Sequence, residues 1–290
     1  MLSSSTVNDA AHIAFGRIRK VMSRLRISAI SYLNTVPLMW DFEHADAGSD
    51  YDISYTIPSA CARALAADEA DIGIIPAAAY TTIPNLAIIP DVAIAARRAV
   101  RSILLVSKMP LERVGTVALD ASSLTSAALA KIMFAKWLGG PRSYLPMEPR
   151  VDQMLAACDA ALVIGNPALQ VDRSRYATLD LAEEWTARTG KSFVFAFWAI
   201  RKQSVAGHNE KQISDTFQKS RDHGLLPENL ETIAQKWAPQ LGLTTETVRT
   251  YLVSNIHYYL DPPCLEGLRL FYQYAAEIGA LPPAPQLDFL

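Results

Sequence analysis

The chain has 290 residues, 50% of them hydrophobic and 19% charged, with a formal net charge of −2. That length buries one large core or two compact lobes, and the near-neutral charge excludes the basic stripe of a nucleic-acid-binding surface. Cys61, Cys158 and Cys264 lie too far apart for a disulfide framework or a zinc knuckle and read as small apolar residues in a reducing compartment.

At the N-terminus a weakly apolar run, 10–15, precedes Arg17, Arg19, Lys20, Arg24 and Arg26, the reverse of the order in a secretory signal. No stretch is apolar enough to span a membrane. A cytoplasmic protein is therefore expected, with residues 1–23 as a flexible extension.

Residues 25–30 read as the first strand, followed by a polar loop, 31–38. Pro37 there suits the first turn of a helix, with Thr35 as its cap. A second strand, 51–57, meets Pro58-Ser59, where Ser59 is placed to cap a helix over 60–67. Residues 72–75 form a short buried strand ended by Pro76, and 86–95 is strand-like again.

The apolar strand near 100–107 crosses into a second lobe. Strand 114–119, helix 125–138, strand 160–164 and helix 181–189 follow, and the aromatic strand 193–200 returns to the first lobe. Four helices close the chain, at 208–223, 230–241, 244–258 and 263–278. The expected organisation is a lobe of 24–100 plus 200–290, the latter helical, and a lobe of 101–199.

Strands alternating with helices predict βαβ units and a largely parallel α/β sheet, with the ligand beyond the carboxyl ends of the strands. The residues just after the strands are hydroxyl- and amide-rich: Ser31, Tyr32 and Asn34; Ser59; Ser122, Thr125 and Ser126; Gly165 and Asn166. Thr125 and Ser126 open a helix, where free N–H groups and the helix dipole favour a carboxylate or phosphate. Capping alone accounts first for each single hydroxyl, and Asn34 reads first as a turn residue and second as a donor to substrate. Asp71, Asp120 and Asp159 lie beside strands and fit caps better than acids or bases. Trp198 fits the core or a pocket wall. His12, His44, His208, His223 and His257 all fall off the strand-end loops, and no Gly-rich phosphate loop is present, so no histidine base, metal or nucleotide cofactor is expected.

Several segments together carry a resemblance. The run from Ser31 through Tyr32, Leu33, Asn34, Thr35, Val36 and Pro37 to Leu38 resembles the signature of the chorismate dehydratase family of the futalosine route to menaquinone. Asp71 to Pro76 with Tyr80, Arg101-Ser102, Val117 to Asp120 with Ser122, Thr125 and Ser126, Asp159 to Asn166, Asp180-Leu181 with Trp185, and Phe193 to Ala199 follow in the family's order. Asn166 departs from the pattern, which has an acid there in many members. The resemblance implies a two-lobed type II periplasmic-binding-protein-like fold used as a cofactor-independent, metal-free hydro-lyase. Its substrate is chorismate and its product 3-[(1-carboxyvinyl)oxy]benzoate. It also implies Asn34 at the reacting ring and Ser31, Tyr32, Ser59, Ser102, Thr125, Ser126, Gly165, Asn166 and Trp198 around the substrate, with no nucleic acid or membrane as partner. The rival expectations are a non-catalytic small-anion binding protein, the naphthoate-forming synthase of the same pathway, and an effector-sensing domain.

Overall fold

The computed structural model describes residues 24–45 and 49–290; the expectation for 1–23 lies outside them. Ten strands are present among the described residues: β1 (Leu25–Ile30), β2 (Tyr51–Thr56), β3 (Ile72–Pro76), β4 (Leu86–Ala96), β5 (Ile103–Ser107), β6 (Thr116–Asp120), β7 (Ser143–Met147), β8 (Ala160–Ile164), β9 (Ala177–Asp180) and β10 (Phe193–Arg201). They form two five-stranded sheets, ordered β2-β1-β3-β10-β4 and β7-β6-β8-β5-β9.

The sheets are mixed, not largely parallel. β1 pairs in parallel with β2 and β3, and β6 with β7 and β8. β10 runs antiparallel to β3 and β4, and β5 antiparallel to β8 and β9. The reversed strands are the ones by which the chain enters the second sheet and re-enters the first. A strand arriving from the other sheet starts at the edge where the parallel strands end, and so runs against them.

The second sheet shows the period-two rule directly. Ile103, Leu105, Val117, Leu119, Leu162 and Ile164 join the main core, which is continuous with that of the first sheet. Their neighbours Leu104, Val106, Ala118, Ala161 and Val163 pack on the opposite face against Met154 and Leu155. The latter come from the helix Val151–Ala157. Every position of β10 from Phe193 to Ile200 is buried, because helices cover both faces of that strand.

Three local expectations change. Pro37 sits inside a 3₁₀ helix, Leu33–Met39, whose N-cap position is Tyr32, so Thr35 is not a cap. The helix Pro58–Ala66 begins one residue earlier than Ser59, with Ile57 at the cap position and no side-chain cap bond. The helix expected over 244–258 is Thr245–Thr250 followed by a π-helical turn, Tyr251–Asn255. It stops there because the next backbone is drawn into pairing: His257 exchanges hydrogen bonds with Ala95, and the Tyr258 carbonyl accepts from the Ala93 N–H. All three cysteines are buried and unpaired. No helix among the described residues is long and apolar enough to cross a membrane.

Candidate active site

A narrow cavity of about 40 Å³ lies between the sheets, at the carboxyl ends of β1, β3, β6 and β8 and at the starts of β5 and β10. One wall is Tyr32, Asn34, Pro58 and Pro76, with Phe195 and Ala196 of β10; the facing wall is Ser102, Ser123, Thr125, Ser126 and Gly165. None of the residues lining it carries a charged side chain. Negative charge there must be met by dipoles and hydroxyl or N–H donors.

The helix Leu124–Trp137 supplies the main dipole. Its cap is Ser123, whose hydroxyl accepts the Ser126 N–H at 3.2 Å. The other early N–H groups of the first turn have no acceptor inside the helix. The hydroxyls nearby divide into committed and free. Thr125 Oγ1 accepts from the Ala78 N–H (3.0 Å) and donates to the Phe195 carbonyl (3.1 Å), so its proton stays within the protein. Ser102 Oγ accepts from the Tyr251 hydroxyl at 2.9 Å and keeps its own proton to give. Ser126 Oγ has no partner among the described residues. Asn34 lies near the Tyr251 hydroxyl and accepts a long 3.5 Å bond from the Thr35 hydroxyl.

Contacts between the two walls draw them together. The Ser59 N–H donates to the Ser122 carbonyl (3.0 Å) and the Leu33 N–H to Asn166 Oδ1 (3.1 Å). Ser122 Oγ gives its proton to Asp120 at 2.6 Å, so the Tyr32 hydroxyl, 3.4 Å away, is the donor of that pair. Burial pushes the Asp120 carboxyl up in pKa, opposed by the bonds from the Ser122 hydroxyl and N–H and the Ile164 N–H. Gly165 has φ +61°, and a Cβ there would lie 2.6 Å from the Tyr32 ring. Only glycine lets the tyrosine lie flat on this turn.

Of the ten residues singled out from the sequence, the cavity brings together Asn34, Tyr32, Ser102, Thr125, Ser126 and Gly165. Ser59 and Asn166 sit one step behind, joining the walls. Ser31 is outside: it is exposed, with N–H and hydroxyl both donating to the Thr56 carbonyl. Trp198 is also outside, fully buried with its ring 4.8 Å from Phe217. β10 instead meets the cavity at Phe195 and Ala196.

Tyr251 is the residue that sequence reasoning missed. It lies 149 positions from Ser102 and inside an apolar helical stretch, where nothing distinguishes it from a core tyrosine. Asp180 is a second: its carboxylate accepts the N–H groups of Val100 and Arg101 as well as those of Ala182 and Glu183, and so holds the segment that delivers Ser102. Arg101 has φ +64°, a strained value for a residue with a Cβ, which this clamp maintains.

Away from the cavity, ligand atoms of His257, Asp261 and Cys264 lie within 4.8 Å of one another. Asp261 is already held by Arg97 at 2.6 Å and His257 at 2.8 Å. Burial, and then Asp261, push the Cys264 thiol up to about 12. These groups form a polar staple at the start of the helix Pro262–Glu277.

Comparison with known proteins places this architecture. The chain is 29% identical over 272 residues, 88% of its length and 94% of the relative's, to the chorismate dehydratase of Thermus thermophilus. Among solved structures it resembles the periplasmic aliphatic sulphonate binding protein SsuA of Escherichia coli (TM-score 0.60, 17% identity, 90% of this chain and 94% of that one). It also resembles a Candida albicans protein with the generic periplasmic-binding-protein fold (TM-score 0.61, 11% identity, 90% and 92%). These likenesses show the fold. The model of a family described as menaquinone biosynthesis matches residues 25–277, from the first strand to the last helix, and the chain belongs to that family.

Proposed function

We propose that this protein is a chorismate dehydratase, a hydro-lyase that removes water from chorismate to give 3-[(1-carboxyvinyl)oxy]benzoate. The observation that carries the reading is the similarity to the Thermus enzyme along nearly the whole of both chains. The cavity supports it chemically. Dehydration takes one ring C–H proton and the neighbouring hydroxyl group as water, and the ring becomes aromatic. Aromatisation drives the reaction, so the protein needs chiefly to orient the substrate, assist the departing hydroxyl and exclude bulk water.

The helix start at Leu124–Trp137, with the free hydroxyls of Ser102 and Ser126, is suited to hold the two carboxylates of the substrate. Asn34, on the opposite wall, is suited to donate to the leaving hydroxyl or the enolpyruvyl oxygen. No lining side chain is a carboxylate, lysine or histidine. A carboxylate of the substrate itself is the base this reading assigns to the ring proton. Three buried, unpaired cysteines fit the cytoplasmic location expected of such an enzyme.

The test is to incubate purified protein with chorismate, without added metal or cofactor, and follow the products by mass. Loss of one water to a stable aromatic enol ether supports the reading. Unchanged chorismate in the presence of folded protein overturns it and returns the cavity to a small-anion binding role.

A further inference from the structure

We infer that Tyr251 is a positioning residue that makes the Ser102 hydroxyl a donor aimed into the cavity; the inference rests on the dehydratase reading of that cavity. Tyr251 reaches the site from the C-terminal helical region, at the first position of the π-helical turn Tyr251–Asn255. Such turns recur at functional sites because they rotate one side chain out of the regular helical register. This turn is anchored at its far end, where Asn255 Nδ2 donates to the Ala99 carbonyl at 2.9 Å, next to the segment that leads into Ser102.

The direction of the hydrogen bonds follows from counting protons. Tyr251 is 2% exposed, and burial pushes its pKa up against the opposing bonds of Ser102 and Asn34, so the phenol stays protonated. A phenol has one proton, and here it goes to Ser102 Oγ, 2.9 Å away in a wholly buried pair. Asn34 lies near the phenol oxygen, which has no further proton to give it. Ser102, having accepted, has one proton left and no acceptor for it among the described residues, and it lines the cavity. The chain therefore reads one way: Tyr251 to Ser102, Ser102 to a substrate oxygen. Each link polarises the next, and an anionic oxygen at the end strengthens all of them.

Tyr258 provides the control. It is as deeply buried, on the same segment, yet its hydroxyl has no partner. Removing that hydroxyl tests the effect of trimming a buried phenol without touching the chain of donors.

The experiment compares wild type, Tyr251→Phe, Ser102→Ala, their double variant and Tyr258→Phe, by calorimetric titration with chorismate and by steady-state kinetics. Tyr251→Phe is expected to raise Kd and KM about tenfold, as for one lost neutral hydrogen bond, with kcat within about threefold. The double variant is expected to be no worse than Ser102→Ala, since Tyr251 acts through Ser102, and Tyr258→Phe to match wild type. Effects that multiply in the double variant, or a Tyr251→Phe protein with wild-type Kd, overturn the inference. A wild type that binds chorismate without converting it overturns the dehydratase reading while the binding cycle still decides about Tyr251. A wild type that neither binds nor converts it overturns both.

Discussion

Asn34 and Thr125 show how similar polar residues divide between chemistry and structure. Asn34 lines the cavity with an amide that lies near the Tyr251 hydroxyl and is weakly bonded to Thr35. Asn34→Ala is expected to lower kcat by about a hundredfold, the scale of one lost transition-state donor, with an unchanged thermal midpoint; chorismate turnover and a melting curve check both halves. Thr125 has both its donor and one acceptor site filled by the backbone at Phe195 and Ala78. Thr125→Val leaves a buried N–H and carbonyl without that partner, which costs about 1–3 kcal/mol. Denaturant titration is expected to show that loss, and Thr125→Ser to restore most of it. The two residues were alike in the sequence because a strand-end position specifies only that a polar group stands near the ligand edge. Which proton is already spent depends on atoms brought in from Ala78 and Phe195.

At the scale of elements, the join between β8 and the following short helix, Gly165–Leu169, packs closely on Tyr32 of the opposite cavity wall. Gly165→Ala adds a Cβ in a left-handed backbone conformation, against the Tyr32 ring. The variant is expected to hold the walls apart: KM rises about tenfold, equivalent to roughly 1.4 kcal/mol. Steady-state kinetics check it, and an unchanged KM would show that Tyr32 gives way freely. The hydrophobic runs marked most strands and the helix Leu124–Trp137, but not strand direction, because an apolar run reads the same whichever way its neighbours travel. Hence β5 and β10 came out antiparallel against expectation. The short strands β7 and β9 carry little apolar pattern, since their residues are mostly exposed or half-buried.

For the molecule as a whole, the cavity has no side chain that changes charge near neutrality. Tyr32 is pushed up first by burial, as is Tyr251, and the Asp120 carboxyl is held by Ser122 and the Ile164 N–H and does not line the cavity. Catalysis is expected to be nearly flat from about pH 6.5 to 9, checked as kcat/KM against pH. Stability behaves differently in acid. Burial raises the Asp71 carboxyl, but the Arg26 and Ser204 bonds outweigh it and hold its pKa at about 2, below the ordinary 3.8. Asp261, half-buried, is held at about 2 by Arg97, the Cys264 N–H and His257. Depressed carboxylates contribute stability above their unfolded pKa and lose it as pH falls through the folded one. Unfolding is therefore expected to become easier between about pH 4 and pH 2, and Asp71→Asn to blunt that dependence in acid denaturation curves.

By itself the sequence determined the α/β class, most of the element order, the hydroxyl-rich strand ends and the family, since these rest on periodicity and on short runs of neighbouring residues. Tertiary structure alone decided that six of the ten chosen residues share one cavity, that Trp198 faces Phe217 while Phe195 faces the cavity, and that Tyr251 reaches Ser102. Both faces of β10 are apolar, so its pattern cannot say which one meets a ligand. A hydrogen bond across 149 residues leaves no local trace in the chain; it exists only because the C-terminal helices fold back onto the strand that enters the second sheet.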